Sequence, residues 1–172
     1  MVKLNIIKRL GNKKDDIKYF EHHLPKNIKY VVEPFGGSFA VSKYVYQDLD
    51  KYIIHINDND PVLYHIYKNY KQSIDLVKKL DELYNDKYQN KSKEFKNYVE
   101  NLDINDYLKQ YIINTKFIRG HIYKPVKSQS YNEIEENILK HAIITHEDYK
   151  SVMKKYKYKK KCFHIRRSAV FV

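Results

Sequence analysis

A single cysteine, Cys162, leaves no partner for an internal disulfide and no thiolate set for a cysteine-built zinc site, so the chain suits a reducing compartment. No stretch approaches the ~20 consecutive apolar residues of a membrane-spanning helix. The N-terminus, Met1 to Arg9, lacks the long apolar core of a secretion signal. These absences point to a soluble intracellular protein. The eight histidines show no HExxH spacing, and His22-His23 reads as a solvated helix end, so no metal site is expected. There are four glycines, and none forms the GxGxxG of a nicotinamide-binding turn, which counts against a dehydrogenase.

Positive charge is abundant. Lys and Arg total 33 against 21 Asp and Glu, a net charge of +12. That excess favours a polyanionic partner, nucleic acid before an anionic membrane surface. Base composition is the competing source, because Lys, Asn, Ile and the 18 Tyr all use A/T-rich codons. Aromatic residues make up 15% and suit either a core or stacking on bases. The 172 residues are enough for one domain with a core and an insertion.

Along the chain, residues 9–14 form a polar turn and a helix follows from Asp15 to Leu24, closed by Pro25. Tyr30 to Val32 is an apolar strand. It runs into Glu33-Pro34-Phe35-Gly36-Gly37 and then a helix from about Ser38 through Tyr46. A strand–tight turn–helix unit sets free helix-start N–H groups at the carboxyl edge of a sheet, and glycine lets a ligand approach the backbone. The ordinary alternative is a βα turn that binds nothing. Tyr52 to Ile56 is a second strand ending in Asn57-Asp58-Asn59-Asp60-Pro61. An acid at that place is where nucleoside-binding α/β folds accept the ribose hydroxyls. Asp58, nearer the strand, takes that role; Asp60, just before Pro61, caps the next helix.

Leu63, Ile66, Tyr67, Tyr70, Ile74, Val77 and Leu80 recur at helical spacing and predict one helix over 61–83 with a core-facing stripe. Residues 85–97 are polar and lysine-rich, and helices follow around Phe95–Leu102 and Tyr107–Ile112. Lys116 to Pro125 interleaves basic and aromatic residues around Gly120, a composition that grips phosphates and stacks on bases. An exposed basic loop with no partner is the commoner alternative. Ala142 to Thr145 is a strand, a helix runs through Met153, Lys154–Lys161 is a solvated charge run, and Cys162-Phe163 begins another strand.

Three of these stretches, in order, resemble the Dam-type adenine-specific DNA methyltransferases. Arg9-Leu10-Gly11-Asn12-Lys13 is similar to the family's Y/W/R-x-G-[GNS]-K segment. Glu33 to Val41 is similar to its [ED]-P-F-x-G-x-G-x-V loop, with Phe39 in place of the second glycine. Asn57 to Pro61 is similar to N-D-x-N-P. The resemblance implies an α/β, Rossmann-like S-adenosylmethionine-dependent methyltransferase fold with a helical target-recognition insertion. It implies S-adenosylmethionine as cofactor, held by Arg9, Lys13, Glu33, Phe35, Gly37 and Asp58. It also implies double-stranded DNA as partner, met by Lys116, Arg119, His121, Tyr123 and Lys124.

The family's fourth motif, Asp-Pro-Pro-Tyr, holds the amine of a flipped adenine through the Asp side chain and a proline carbonyl while the Tyr stacks on the base. It belongs just after Phe163, where this chain reads His164-Ile165-Arg166-Arg167-Ser168-Ala169-Val170-Phe171. One permitted coding of those eight residues, read one base later, gives Ile-Phe-Ala-Asp-Pro-Pro-Tyr. The expectation is therefore no catalytic residue, and a fold incomplete at the C-terminus: cofactor part at 1–84, recognition insertion at 85–137, return to the core at 138–163 and an out-of-frame tail at 164–172. The competing expectation is a non-catalytic basic DNA-binding module on the same fold.

Overall fold

The computed structural model describes residues 27–125, 133–159, 162–165 and 170–171. The fold is built around a sheet whose central strand is β1 (Tyr30–Glu33). Strand β2 (Ile53–Asn57) lies parallel on one side and β6 (Cys162–Ile165) parallel on the other. Outside β2 runs β5 (Ile143–Thr145), also parallel, and β7 (Val170–Phe171) closes the other edge antiparallel to β6. The order β5-β2-β1-β6-β7 buries the middle strands, which is why Val31, Val32, Ile54 and Ile56 form near-continuous apolar runs instead of alternating with polar residues. Register pairs Glu33 with Ile56, so β1 and β2 end at one level. Every loop leaving that carboxyl edge starts from a common platform.

After β1 comes α1 (Ala40–Tyr44), then a 3-10 turn (Tyr46–Lys51). The helix expected from Ser38 through Tyr46 is thus shorter, because Phe39 takes the left-handed conformation and cannot be helical. Helix α2 (Pro61–Lys68) opens on an Asp60 cap, whose side chain accepts the Val62 N–H, with proline at the first position. The expected single helix over 61–83 is split. Asn69 ends α2 and α3 (Tyr70–Lys87) restarts after it. The Asn69 side chain donates to the His65 carbonyl at 3.0 Å, the local competition that makes asparagine a helix interrupter.

Helices α4 (Ser92–Glu100) and α5 (Asp106–Lys116) lead to a hairpin of β3 (Phe117–Ile118) and β4 (Ile122–Tyr123). Helix α6 (Glu133–His141) returns the chain to β5, and α7 (Tyr149–Tyr156) precedes β6. One apolar cluster runs from Val31 and Ile56 through Ile66 and Ile74 to Phe95, Val99, Tyr123 and Ile138. Residues 85–125 and 133–137 therefore contribute to the core of the sheet, and α3 crosses residue 84 without a break. On the opposite face of β1, Val32 packs with Val152, Tyr156 and Cys162.

Candidate active site

The loop after β1 is organised by Glu33, which is 2% exposed. Its carboxylate accepts the Val41 N–H at 3.4 Å, the Ser42 N–H at 2.9 Å and the Ser42 hydroxyl. A buried carboxylate set on the first free N–H groups of α1 satisfies donors the short helix cannot pair internally and complements its positive end. Glu33 thus faces the loop's own backbone.

The two glycines do different jobs. A Cβ on Gly36 would stand 2.6 Å from Ile56 Cγ2, and the Gly36 N–H donates to the Asn57 carbonyl at 2.7 Å. Gly36 therefore lets the loop lie against β2. Gly37 has φ +53°, and among the described residues a Cβ there would meet nothing nearer than the Phe35 carbonyl at 4.0 Å. Phe39 holds φ 40° with a fully buried ring, in edge contact with Tyr67 and with Lys43 Nζ 4.6 Å from the ring centre. The glycine-like backbone survives at the position where a side chain replaces the second glycine.

The end of β2 locks onto this loop. Asp58, 5% exposed, accepts the Gly37 N–H at 2.9 Å on Oδ2 and the Asp60 N–H at 3.1 Å on Oδ1. Glycine turn and acid, 21 residues apart, meet at one point. The Tyr67 hydroxyl donates to the Gly37 carbonyl at 2.6 Å, and Asn57 donates to the Pro34 carbonyl at 3.0 Å. Flat rings flank the place. His146, whose Nδ1 lies 3.0 Å from the Asp58 carbonyl, stacks on Tyr64 with centroids 5.6 Å apart, and half-buried Phe35 meets Tyr149 at 5.2 Å. Sequence reading missed Asn57, Tyr67, His146 and Tyr149. Tyr67 looked like plain core at its helical position, Asn57 stood in a segment read for its acids, and His146 and Tyr149 reach the site from beyond β5, far from the loop in sequence. Arg9 and Lys13 lie outside the described residues.

The basic segment separates into an inner and an outer set. Lys116 is 5% exposed and pairs with Asp81 at 2.8 Å; Tyr123 is 3% exposed and donates to the same carboxylate at 2.6 Å. Both were expected on a DNA-facing loop, and both are turned inward, because a lysine and a tyrosine in an apolar cluster need a shared acceptor. Burial and the Asp81 charge push the Tyr123 phenol far above its ordinary range, so it stays a neutral donor. Arg119, His121 and Lys124 are exposed, with Arg119 and Gly120 both at positive φ in the tight turn. Between this hairpin and α4 is an open cleft of ≈ 840 Å³, whose lining includes Lys93, Lys96 and His121.

Cys162 is buried, and burial pushes its thiol up to about 11, so it is no nucleophile at neutral pH. Among the described residues no three His, Cys, Asp or Glu side chains are grouped to hold a metal, and no helix is long and apolar enough to cross a membrane.

Compared with known families, residues 10–169 match the model of the D12 class N6 adenine-specific DNA methyltransferases. No curated protein matches the chain.

Proposed function

The chain belongs to the D12 class N6 adenine-specific DNA methyltransferase family, and from that premise we propose that its carboxyl edge holds S-adenosylmethionine while the hairpin tip meets double-stranded DNA. The observation that carries this reading is the 2.9 Å bond from the Gly37 N–H to Asp58 Oδ2, which joins the glycine turn to the acid ending β2. The donor set suits a nucleoside. Asp58 ends β2 beside the Gly37 turn, and a carboxylate there can accept from both vicinal hydroxyls of a ribose. Among the described residues Gly37 leaves space where a side chain would narrow the approach.

The roles follow. Asp58 accepts from the ribose. Gly37 and Phe35 line the approach, and Glu33 acts by holding the loop shape from behind. Arg9 and Lys13 belong to the site by resemblance alone. The cofactor supplies an electrophilic methyl group on a sulfonium centre. Strand order with the loop at the end of the central strand agrees with a Rossmann-like methyltransferase core. Arg119, His121 and Lys124 are the residues offered to DNA. Lys116 and Tyr123 support them from within.

The chain carries no Asp-Pro-Pro-Tyr. Strand β6 runs parallel to β1 with Val32 opposite His164, so β6 is directed toward the same carboxyl edge as the cofactor loop. We read residues 164–172 as an out-of-frame tail in place of that motif, and the chain as a form that binds cofactor without transferring methyl. Calorimetry with S-adenosylmethionine tests the site: the protein binds, and Asp58→Ala weakens binding about tenfold or more, the scale of a hydrogen bond to a charged group. Unchanged affinity in Asp58→Ala would overturn the assignment. A radiolabelled-methyl assay on adenine-containing DNA gives no incorporation; turnover by the 172-residue chain refutes the inactive form.

A further inference from the structure

Asn57 is fully buried and its side-chain amide is saturated. Nδ2 donates to the carbonyls of Pro34 and Glu147, both at 3.0 Å. Oδ1 accepts the Glu147 N–H at 2.9 Å and faces Thr145 Oγ1 at 2.8 Å. Two carbonyls can only accept and a peptide N–H can only donate, so the amide has one possible orientation. Thr145 must then give its only hydroxyl proton to Oδ1. Thr145 Oγ1 also lies 2.7 Å from His55 Nε2, and with its proton already used it can only accept there. Hence His55 carries a proton on Nε2, and in the neutral ring Nδ1 accepts from the Tyr156 hydroxyl at 2.9 Å. In that form the chain Tyr156, His55, Thr145, Asn57, Pro34 runs along one face of the sheet from α7 to the cofactor loop.

We infer that Asn57 is a positioning residue for the S-adenosylmethionine loop, its amide held in register by the Tyr156–His55–Thr145 chain. Its backbone carbonyl already holds Gly36 at 2.7 Å, and its neighbour Asp58 holds Gly37. The pair therefore clamps Pro34, Gly36 and Gly37 from one strand end. Neither Asn57 nor the three residues behind it touches the side of Gly37 where a Cβ would stand, so they act on ligand affinity only through the loop. The inference rests on the cofactor reading above.

Thr145→Val keeps the shape and removes the hydroxyl, whereas Thr145→Ser keeps the hydroxyl. Calorimetry with S-adenosylmethionine on the full chain is expected to show a loss of about fivefold to tenfold for Thr145→Val, the worth of one neutral hydrogen bond, and near-native affinity for Thr145→Ser. Asn57→Asp, which cannot donate to Pro34, is expected to lose more. Nitrogen-15 imidazole spectra should show His55 protonated on Nε2 in the parent and in Thr145→Ser, and without a single fixed tautomer in Thr145→Val. A parent that binds while Thr145→Val binds equally well overturns the inference alone, as does a parent His55 protonated on Nδ1. A parent that fails to bind S-adenosylmethionine overturns the cofactor reading and this inference with it.

Discussion

Phe39 sets two effects of known size against each other. A non-glycine residue at φ 40° costs about 1–2 kcal/mol relative to glycine. Removing a fully buried phenylalanine ring costs about 3–5 kcal/mol through lost burial and the cavity left behind. Phe39→Gly, although it restores the family pattern, should therefore destabilise the protein by about 2–3 kcal/mol in urea unfolding. A more stable variant would show that the ring is poorly packed. His55 gives a second residue-scale test. Burial first, and Lys155 second, lower its pKa below the ordinary 6.5, with Glu147 opposing. Because the folded pKa is depressed, the unfolded chain takes up the proton first as pH falls. Stability is thus complete above about pH 6.5 and declines from there down through the folded value. Unfolding curves between neutral and mildly acid pH should show this decline shrinking in His55→Gln. At this scale the sequence exposed Asp60 as a helix cap and Asp58 as the acid that follows β2, because strand end and helix start are local facts. The left-handed Phe39 and the inward turn of Lys116 were hidden, since both depend on residues distant in sequence.

At the scale of elements, α5 and its hairpin are tied to α3 by one carboxylate. Asp81 takes Lys116 Nζ at 2.8 Å and the Tyr123 hydroxyl at 2.6 Å, and Lys116 Nζ lies 5.6 Å from the Tyr123 ring centre. Removing one partner of a buried ion pair costs about 3–5 kcal/mol, while replacing both by apolar groups of similar size is often close to neutral. Asp81→Ala should fall in that destabilising range, and Asp81→Leu combined with Lys116→Met should recover most of the loss. Thermal unfolding of the three proteins decides it; additive losses in the double variant would deny the coupling. The strands and helices here were readable because a period of two or 3.6, or an unbroken apolar run, needs no partner to be recognised. The break at Asn69 was not. It arises from a side chain competing for one backbone carbonyl, which leaves the apolar stripe Leu63, Ile66, Tyr70 and Ile74 in phase across it. The hairpin's sidedness was equally hidden, because alternation of lysine and tyrosine does not say which of them meets Asp81.

For the whole molecule, a net charge of +12 predicts attraction to any polyanion, and much of it is diffuse. The proposed docking face is narrower than that background. Arg119, His121 and Lys124 stand exposed on the hairpin beside the cleft that includes Lys93 and Lys96, while Lys116 is paired inside. Each phosphate contact releases counterions and contributes about 0.9 to the slope of log affinity against log salt. Arg119→Ala and Lys124→Ala should each lower that slope by about one with duplex DNA and weaken binding across sequences alike. Lys116→Met with Asp81→Leu should leave the slope unchanged, because a lysine facing an interior carboxylate neutralises no phosphate. Fluorescence anisotropy of a labelled duplex over a salt series makes the comparison. A slope that falls with the buried pair and not with the exposed residues would move the DNA face away from the hairpin tip.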